Sequence, residues 1–367
     1  NRSSRCFEML VKLEYICGRS YTESVTKHDS KYMQRCLDLA QLGYKSAHPN
    51  PMVGCVIVHE GKIIGEGYHT AYGKAHAEVE AINSVIDKSL LRDSTLYVNL
   101  EPCAHHGKTP PCADLIIRHQ LKRVVIANTD PHEVVAGTGI ERMKANGIEV
   151  KTGVLESKGR ILNRRFFTYH EKKRPYIILK WAQTADGYLG RTTGDSGSPH
   201  ISGKLANQYV HELRASVDGI FVGTQTVVQD NPSLNVRHVE GPSPHRFTID
   251  HNNRIPTDSK LLSDGLPTTI FSKSKFTDRH VVLDSEDDIW AKMMDYWYQN
   301  GIQSVLIEGG TNILNQFIEK NRFDEIITIT SSKNWGSGVA SPKTPQLPVY
   351  QEFQLGLDRI SIYHNNL

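Results

Sequence analysis

The feature that most constrains the fold of this chain is a set of three potential metal ligands and one acidic residue in its first half. His76 and Glu78 lie two residues apart, and Cys103 and Cys112 follow them. Two thiolates and an imidazole suit zinc and leave a fourth coordination position for water. Because residues two apart do not share a helix face, His76 and Glu78 reach one metal most easily in front of the amino-terminal end of a helix. The sequence therefore predicts that this helix start meets the strand end before Cys103.

The residues alone leave three interpretations of this set open. The two thiols could form a disulfide, which would require an oxidising compartment. A structural zinc could recruit His105 or His106, because closed zinc sites take four protein ligands. An open catalytic site would explain why Glu78 lies so close to His76, as an acid–base group that does not bind the metal. We take the catalytic site as the leading hypothesis.

Length, charge and hydropathy limit the class of protein. A chain of 367 residues predicts two domains, each large enough for its own core. A net charge of +3 without a long basic run argues against nucleic acid as the main partner. No apolar run approaches the roughly 18 to 20 residues of a membrane span, and residues 1–29 lack the pattern of a secretory signal. We expect a cytoplasmic, homo-oligomeric protein that binds a small molecule and neither nucleic acid nor membrane.

The first domain is predicted to span residues 30–155, after an extension (1–29) that we expect to be disordered. Alternating strands and helices, with polar residues at the strand ends, indicate an α/β layered sheet. Cys36 and Cys55 lie inside apolar patterns and are expected to be buried thiols. Asp29 or Ser30 could cap the first helix. The predicted helices are 30–46, from 76 and from 112, and the predicted strands are 53–58, 62–68, 95–100, 124–127 and 148–154.

A linker is predicted over residues 156–173 and a second domain over 174–367. The basic stretch from Arg164 to Arg174 is typical of a solvated connector. Ser202 is a plausible cap for the helix 204–215. Gly309-Gly310 opens a further helix from Asn312, and such a turn presents free backbone N–H groups to a phosphate. The predicted strands are 176–182, 219–223, 246–250, 268–272 and 304–308.

The motifs of the first half resemble those of a known enzyme family. H-A-E followed by P-C and a second Cys is similar to the cytidine-deaminase superfamily. The eight residues between the thiols, with H-P-N-P and E-P-C-A-H-H-G-K-T-P-P-C, resemble the pyrimidine deaminases of riboflavin biosynthesis. The resemblance implies one zinc ion on His76, Cys103 and Cys112, with Glu78 as the proton shuttle. The substrate contacts that it implies are Asn50, His69, His105, Lys108 and Asp130.

The second half carries an independent resemblance. L-K-W-A-Q-T-A-D-G, G-T-Q-T-V-V-Q-D-N-P-S-L-N-V-R and I-E-G-G resemble dihydrofolate-reductase-like domains, and among them the reductase partner of that deaminase. The implied NADPH contacts are Ala182, His200, Thr226, Asp230, Gly310, Thr311 and Asn312. The implied substrate contacts are Ser196, Arg214, Leu234, Arg237 and Glu308. Two of these, Arg214 and Arg237, would suit a ribose phosphate, and Lys180 is a further polar candidate near the sugar.

Together the resemblances imply a bifunctional enzyme: a cytidine-deaminase-like three-layer domain followed by a dihydrofolate-reductase-like α/β domain. The first would hydrolytically deaminate 2,5-diamino-6-ribosylamino-4(3H)-pyrimidinone 5′-phosphate, and the second would reduce the ribosyl group to ribityl with NADPH. Two alternatives stay open, namely another zinc-dependent nucleoside or nucleic-acid deaminase and a non-catalytic zinc-stabilised binding protein. Metal content together with ammonia release distinguishes among the three.

Overall fold

The computed structural model describes residues 27–105, 110–132, 136–192, 200–283 and 288–365. The expected substrate contacts Lys108 and Ser196, the alternative ligand His106 and the extension up to residue 26 lie outside these residues. Among the helices that the structure does describe, none is both long enough and apolar enough to cross a membrane.

The first half folds around one mixed sheet. Its strands are β1 (Gly54–His59), β2 (Lys62–Tyr68), β3 (Thr95–Leu100), β4 (Arg123–Asn128) and β5 (Glu149–Lys151). Its helices are α1 (Lys27–Gln41), α2 (Ala77–Ser84), α3 (Cys112–Arg118) and α4 (Thr138–Ala145), with a 3-10 helix at Lys88–Asp93. In the described part of the chain, the strand order is β2-β1-β3-β4-β5. β1 is antiparallel to both neighbours, whereas β3, β4 and β5 are parallel.

Alternation along the strands buries both faces of this sheet. Cys55 and Ile57 pack with the cluster beneath α2, α3 and α4, whereas Val56 and Val58 pack with α1 on the opposite face. Side chains of a strand point alternately to the two faces, so two helical layers enclose the sheet. The expected three-layer α/β architecture is confirmed, and Cys55 is a buried free thiol, as predicted.

The start of α1 differs from the prediction. The helix covers Lys27–Gln41 instead of 30–46, and Leu42, expected on its apolar stripe, is exposed. Asp29 is buried and does not act as the expected cap: it accepts hydrogen bonds from Arg123 and Lys151. Burial alone would raise the pKa of this carboxyl, but its two cationic partners hold it well below the usual range. These partners are about a hundred residues away in sequence, so local patterns could not reveal them.

The segment predicted to be a solvated connector is helical and partly buried, so that prediction is wrong. It forms α5 (Glu156–Leu162) and α6 (Arg164–Lys172). Phe166 and Phe167 are buried against Leu100 at the end of β3. Burial of two phenylalanines outweighs the basic composition, because each aromatic side chain removes a large apolar area from water.

The second half of the chain forms a larger sheet and a separate pair of short strands. Its strands are β6 (Tyr176–Gln183), β7 (Tyr188–Gly190), β8 (Gly219–Gly223), β9 (His245–Ile249), β10 (Thr268–Ser272), β11 (His280–Val282), β12 (Ser304–Ile307), β13 (Glu325–Thr330), β14 (Val339–Ala340), β15 (Val349–Leu355) and β16 (Asp358–His364). Its helices are α7 (Lys204–Ala215), α8 (Thr224–Asp230), α9 (Lys260–Ser263), α10 (Ile289–Gln299) and α11 (Thr311–Glu319). Over the described residues, the sheet order is β11-β10-β9-β8-β12-β6-β13-β16-β15, and β14 pairs with β7.

In this sheet order, each strand from β11 through β10, β9, β8, β12 and β6 to β13 is parallel to its neighbours. The carboxyl ends of these strands therefore share one edge of the sheet. In open α/β sheets, ligands bind at this edge. Helix α7 has the predicted bounds, but its cap is Gly203 and not Ser202. The backbone N–H of Gly203 donates to Asp358 Oδ2 at 2.6 Å, so the helix start is tied to β16.

Candidate active sites

The three predicted metal ligands converge in the first domain. His76 caps α2, Cys112 begins α3, and Cys103 follows β3. His76 Nδ1 lies 3.6 Å from Cys103 Sγ and 3.3 Å from Cys112 Sγ, and all three ligand atoms lie within 4.8 Å of one another. Tetrahedral zinc with ordinary bond lengths separates its nitrogen and sulfur ligands by about 3.6 Å. The donor atoms therefore fit zinc in both chemistry and spacing.

The two alternatives for this set find no support in the described residues. Cys103 and Cys112 are free thiols, not a disulfide. His105 is exposed and does not join the ligand group. Hydrogen bonding by Cys112 and His76 lowers the pKa of Cys103, which favours the thiolate that binds metal.

Glu78 lies in the first turn of α2, beside the ligand set, where its side chain is hydrogen-bonded to Cys112. Its side chain is buried, and burial raises its pKa to about 7. A cation on the adjacent ligands would act in the opposite direction and favour the carboxylate. A carboxyl in such surroundings can both accept and return a proton near neutral pH.

Asn50 and His69 meet beside the same set. Asn50 Nδ2 donates to His69 Nε2 at 3.0 Å, and His69 Nδ1 donates to the carbonyl of Ala75 at 3.0 Å. One neutral tautomer of His69 satisfies both bonds. The rings of His69 and His76 are 5.7 Å apart, edge to face. Two predicted substrate contacts are thus brought next to the metal ligands.

Glu101, which was assigned no role from its sequence context, organises the backbone on the far side of Cys103. Its buried carboxylate accepts from the backbone N–H groups of Asp130 (3.2 Å), Gly137 (3.0 Å), Gly139 (3.0 Å) and Ile140 (3.2 Å). It thereby ties the segment carrying Asp130 to the strand end before Cys103. Burial raises the pKa of Asp130. A glutamate between an apolar strand and Pro-Cys is the one local signal that could have drawn attention to it.

In the second domain, three predicted residues form a charged cluster near the carboxyl ends of the strands, and each has only 10–12% of its side chain exposed. Arg214 Nε and Nη2 donate to Glu308 at 3.1 and 2.8 Å, and Lys180 Nζ lies 3.9 Å from the same carboxylate. Burial alone would raise the pKa of Glu308, but Arg214 and Lys180 hold it at about 2. Burial lowers the pKa of Lys180. The pairing of Arg214 with Glu308 was not predicted, since each was expected only to contact substrate.

The remaining predicted residues lie on several separate elements and loops of the second domain. Leu234 is buried, whereas Arg237 is exposed and its guanidinium bonds Asn235. Gly310 caps α11, and a Cβ built on it would lie 3.7 Å from Thr226 Oγ1, so the starts of α8 and α11 are adjacent. Further predicted positions are Ala182 near the end of β6, Asp230 at the end of α8, Thr311 and Asn312 in the first turn of α11, and exposed His200.

Comparison with known proteins agrees with both halves. The family described as the cytidine and deoxycytidylate deaminase zinc-binding region matches residues 26–128, and the RibD C-terminal domain family matches residues 175–365. The riboflavin biosynthesis protein RibD of Aquifex aeolicus is 40% identical over 321 residues, which are 85% of this chain and 89% of that protein. The chain belongs to the RibD family. The Bacillus amyloliquefaciens RibD is 38% identical over 351 residues, with 89% of this chain and 94% of that protein covered.

Solved RibD structures share the fold. Acinetobacter baumannii RibD has a TM-score of 0.82 at 32% identity, covering 92% of this chain and 99% of that chain. A Thermotoga maritima diaminohydroxyphosphoribosylaminopyrimidine deaminase and 5-amino-6-(5-phosphoribosylamino)uracil reductase has a TM-score of 0.80 at 34% identity, covering 92% and 98%. As a RibD family member, the chain is a bifunctional deaminase and reductase of riboflavin biosynthesis. Its two domains imply zinc and an NADPH-type cofactor.

Proposed function

We propose that the first domain deaminates 2,5-diamino-6-ribosylamino-4(3H)-pyrimidinone 5′-phosphate, and that the second reduces the ribosyl group of the product. The observation that carries the first step is the ligand triangle of His76, Cys103 and Cys112 with buried Glu78 beside it. The Thermotoga maritima relative is named for the same pair of activities. We further propose one zinc ion per chain, NADPH as reductant, and domains of 30–155 and 174–367 joined by residues 156–173.

The residues of the first site would divide the deamination among themselves. His76, Cys103 and Cys112 would hold the zinc ion, which would supply an acidified water as the nucleophile. Glu78 takes up the proton released as the water oxygen adds to the amino-bearing ring carbon, and it then protonates the departing amine, which leaves as ammonia. Asn50, oriented by His69, contacts the pyrimidine. The exposed His105 and the segment of Asp130 bind the ribose phosphate end.

In the second site, the cofactor would lie along the starts of α8 and α11. NADPH supplies the hydride. Gly310 and Thr311 at the start of α11 offer backbone N–H groups to its phosphates. The Lys180–Glu308 pair lies at the strand ends, where it can orient sugar hydroxyls. Arg237, whose guanidinium is exposed, binds the substrate phosphate.

The proposal is tested by incubating the purified chain with the diaminopyrimidine phosphate and identifying products by mass. Without NADPH, we expect ammonia and the deaminated ribosylaminouracil phosphate. With NADPH, we expect its ribityl derivative. Recovery of the unchanged diaminopyrimidine under both conditions, from zinc-loaded protein, would contradict the proposal.

Arg237→Ala should raise the KM of the reductase for its phosphorylated substrate roughly 10- to 100-fold, because a charge-assisted hydrogen bond contributes about 1.5–3 kcal/mol. The side chain is exposed, so the Tm should not change. Steady-state kinetics on the phosphorylated and dephosphorylated substrates make the comparison. The exposed Arg359→Ala on β16 is the matched control. An equal rise in KM for both substrates would remove the phosphate role.

A further inference from the structure

The loop of residues 48–52, here called the Asn50 loop, carries a predicted substrate contact and lies where the two domains meet. Its carboxyl end is fixed from within the first half of the chain. Asn163 accepts from the Met52 N–H at 2.9 Å and donates to the Met52 carbonyl at 2.9 Å. Asn99 donates to the same carbonyl at 3.0 Å. Two amide side chains therefore hold the backbone immediately after Asn50.

The amino end of the Asn50 loop is held by the reductase domain. His48 Nε2 lies 2.5 Å from Asp218 Oδ1, and Gln303 Nε2 donates to the Pro49 carbonyl at 3.0 Å. Asp218 precedes β8 and Gln303 precedes β12, so both contacts come from the amino ends of adjacent parallel strands.

Asp218 is itself rigidly placed. Its Oδ2 accepts from the N–H groups of Gln303 (3.0 Å) and Ser304 (2.8 Å) and from Ser304 Oγ (2.9 Å). Only 13% of its side chain is exposed. Burial alone would raise the pKa of Asp218, but His48 and Ser304 lower it, so the carboxylate stays charged. A largely buried carboxylate whose Oδ2 has three donors is a fixed anchor for the loop.

A cavity of about 220 Å³ lies behind the loop, between the domains. Asn50, Pro51 and Met52 line it on the first-domain side, and Tyr209 and Phe353 line it on the reductase side. Protein interiors normally leave few voids larger than a water molecule. The loop therefore has room on this side. Apart from the bonds of Asn50 to Ala47 and His69, the side-chain hydrogen bonds at its two ends are the contacts that hold it in place.

We infer that Asp218 and Gln303 of the reductase domain are positioning residues for the deaminase site. They hold His48 and Pro49, and through them they set where Asn50 meets His69 beside the metal ligands. The inference rests on the proposed contact of Asn50 with the pyrimidine. It makes deamination dependent on side chains that belong to the other catalytic domain.

The test uses the full-length, zinc-loaded protein with the double substitution Asp218→Asn and Gln303→Ala. Asparagine keeps an acceptor for Ser304 but removes the charge facing His48, and alanine removes the donor to Pro49. We expect the deaminase kcat/KM to fall roughly 10- to 100-fold, since small displacements of a positioning group have effects of that size. The reductase, supplied with deaminated substrate, should keep its kcat and KM, and zinc content should not change. Gln299→Ala, an exposed glutamine at the end of α10, is the matched control.

Asn50→Ala, measured in the same assay, distinguishes the substrate contact of Asn50 from the positioning role of Asp218 and Gln303. If Asn50→Ala lowers deamination while the double variant does not, the positioning role is wrong and the substrate contact stands. If Asn50→Ala has no effect, the proposed substrate contact has failed, and the inference falls with it. A parallel loss of both activities with a lower Tm would show that Asp218 and Gln303 stabilise the whole protein instead, which also overturns the inference.

Discussion

Glu78→Gln is expected to eliminate measurable ammonia release while the protein retains one zinc ion per chain. Glutamine keeps the size and hydrogen-bonding oxygen of the side chain but can neither take up nor return a proton. General acid–base catalysis contributes roughly 10²–10⁴-fold, and here the same group would serve both the attack and the departure of the amine. The loss of kcat should therefore lie at or above the upper end of that range. Ammonia release and metal analysis on the same preparation measure both quantities.

Glu80→Gln is the matched control for this substitution. Glu80 lies in the same first turn of α2, two residues further along, and it is partly exposed whereas Glu78 is buried. It should retain full deamination. The reductase of the Glu78 variant should also be unaffected, because its site is built on the other sheet. Loss of zinc from the Glu78→Gln protein would show that this carboxylate holds the metal, contrary to the proposed role.

The three proposed metal ligands lie on elements that local sequence patterns predict. His76 begins a helix, Cys112 begins another and Cys103 ends a strand, and all three elements could be recognised from nearby residues. Strand order alone does not bring the start of α2 to the end of β3, because β2, which precedes α2, is separated from β3 by the antiparallel β1. Their meeting was expected from a shared metal, and the structure does bring the three ligand atoms together.

Other features depend on pairs of residues that are distant in sequence, and these could not be predicted. Arg214 and Glu308 are 94 positions apart, and nothing around either residue indicates the other. The same holds for Asp29, whose local pattern suggested a helix cap but whose partners lie on β4 and β5. Composition was misleading for α6, where basic residues obscured the buried Phe166 and Phe167.

Because Arg214 is paired with Glu308, replacing this arginine affects the stability of the protein as well as substrate binding. Without Arg214, the largely buried Glu308 would lose its bidentate partner and keep Lys180 Nζ at 3.9 Å. Breaking a fully buried ion pair costs about 3–5 kcal/mol of stability, so the cost here should approach that range. An alanine at position 214 would therefore combine a folding defect with any loss of substrate binding. Arg237 is exposed and free of this complication, so it reports on phosphate binding more directly.

Cys103→Ser is expected to remove zinc and deamination together while NADPH-dependent reduction of the deaminated substrate continues. A serine hydroxyl is not deprotonated near neutral pH, so two ligands remain where an open catalytic zinc site needs three. In the native protein, hydrogen bonds from Cys112 and His76 lower the pKa of the Cys103 thiol and favour the thiolate that binds metal, and serine has no such thiolate. Bound metal, ammonia release and NADPH oxidation, measured on one preparation, test all three parts of this expectation.

Cys36→Ser is the control that isolates metal binding from the loss of a thiol. Cys36 is buried in the same domain, and its Sγ donates to the Tyr97 carbonyl at 3.2 Å, a bond that a serine hydroxyl can replace. This variant should keep its zinc and both activities. Full zinc content in Cys103→Ser would eliminate Cys103 as a ligand. Equal loss of both activities from a folded Cys103→Ser protein would contradict two chemically independent sites, because only the first sheet carries the thiols that hold the metal.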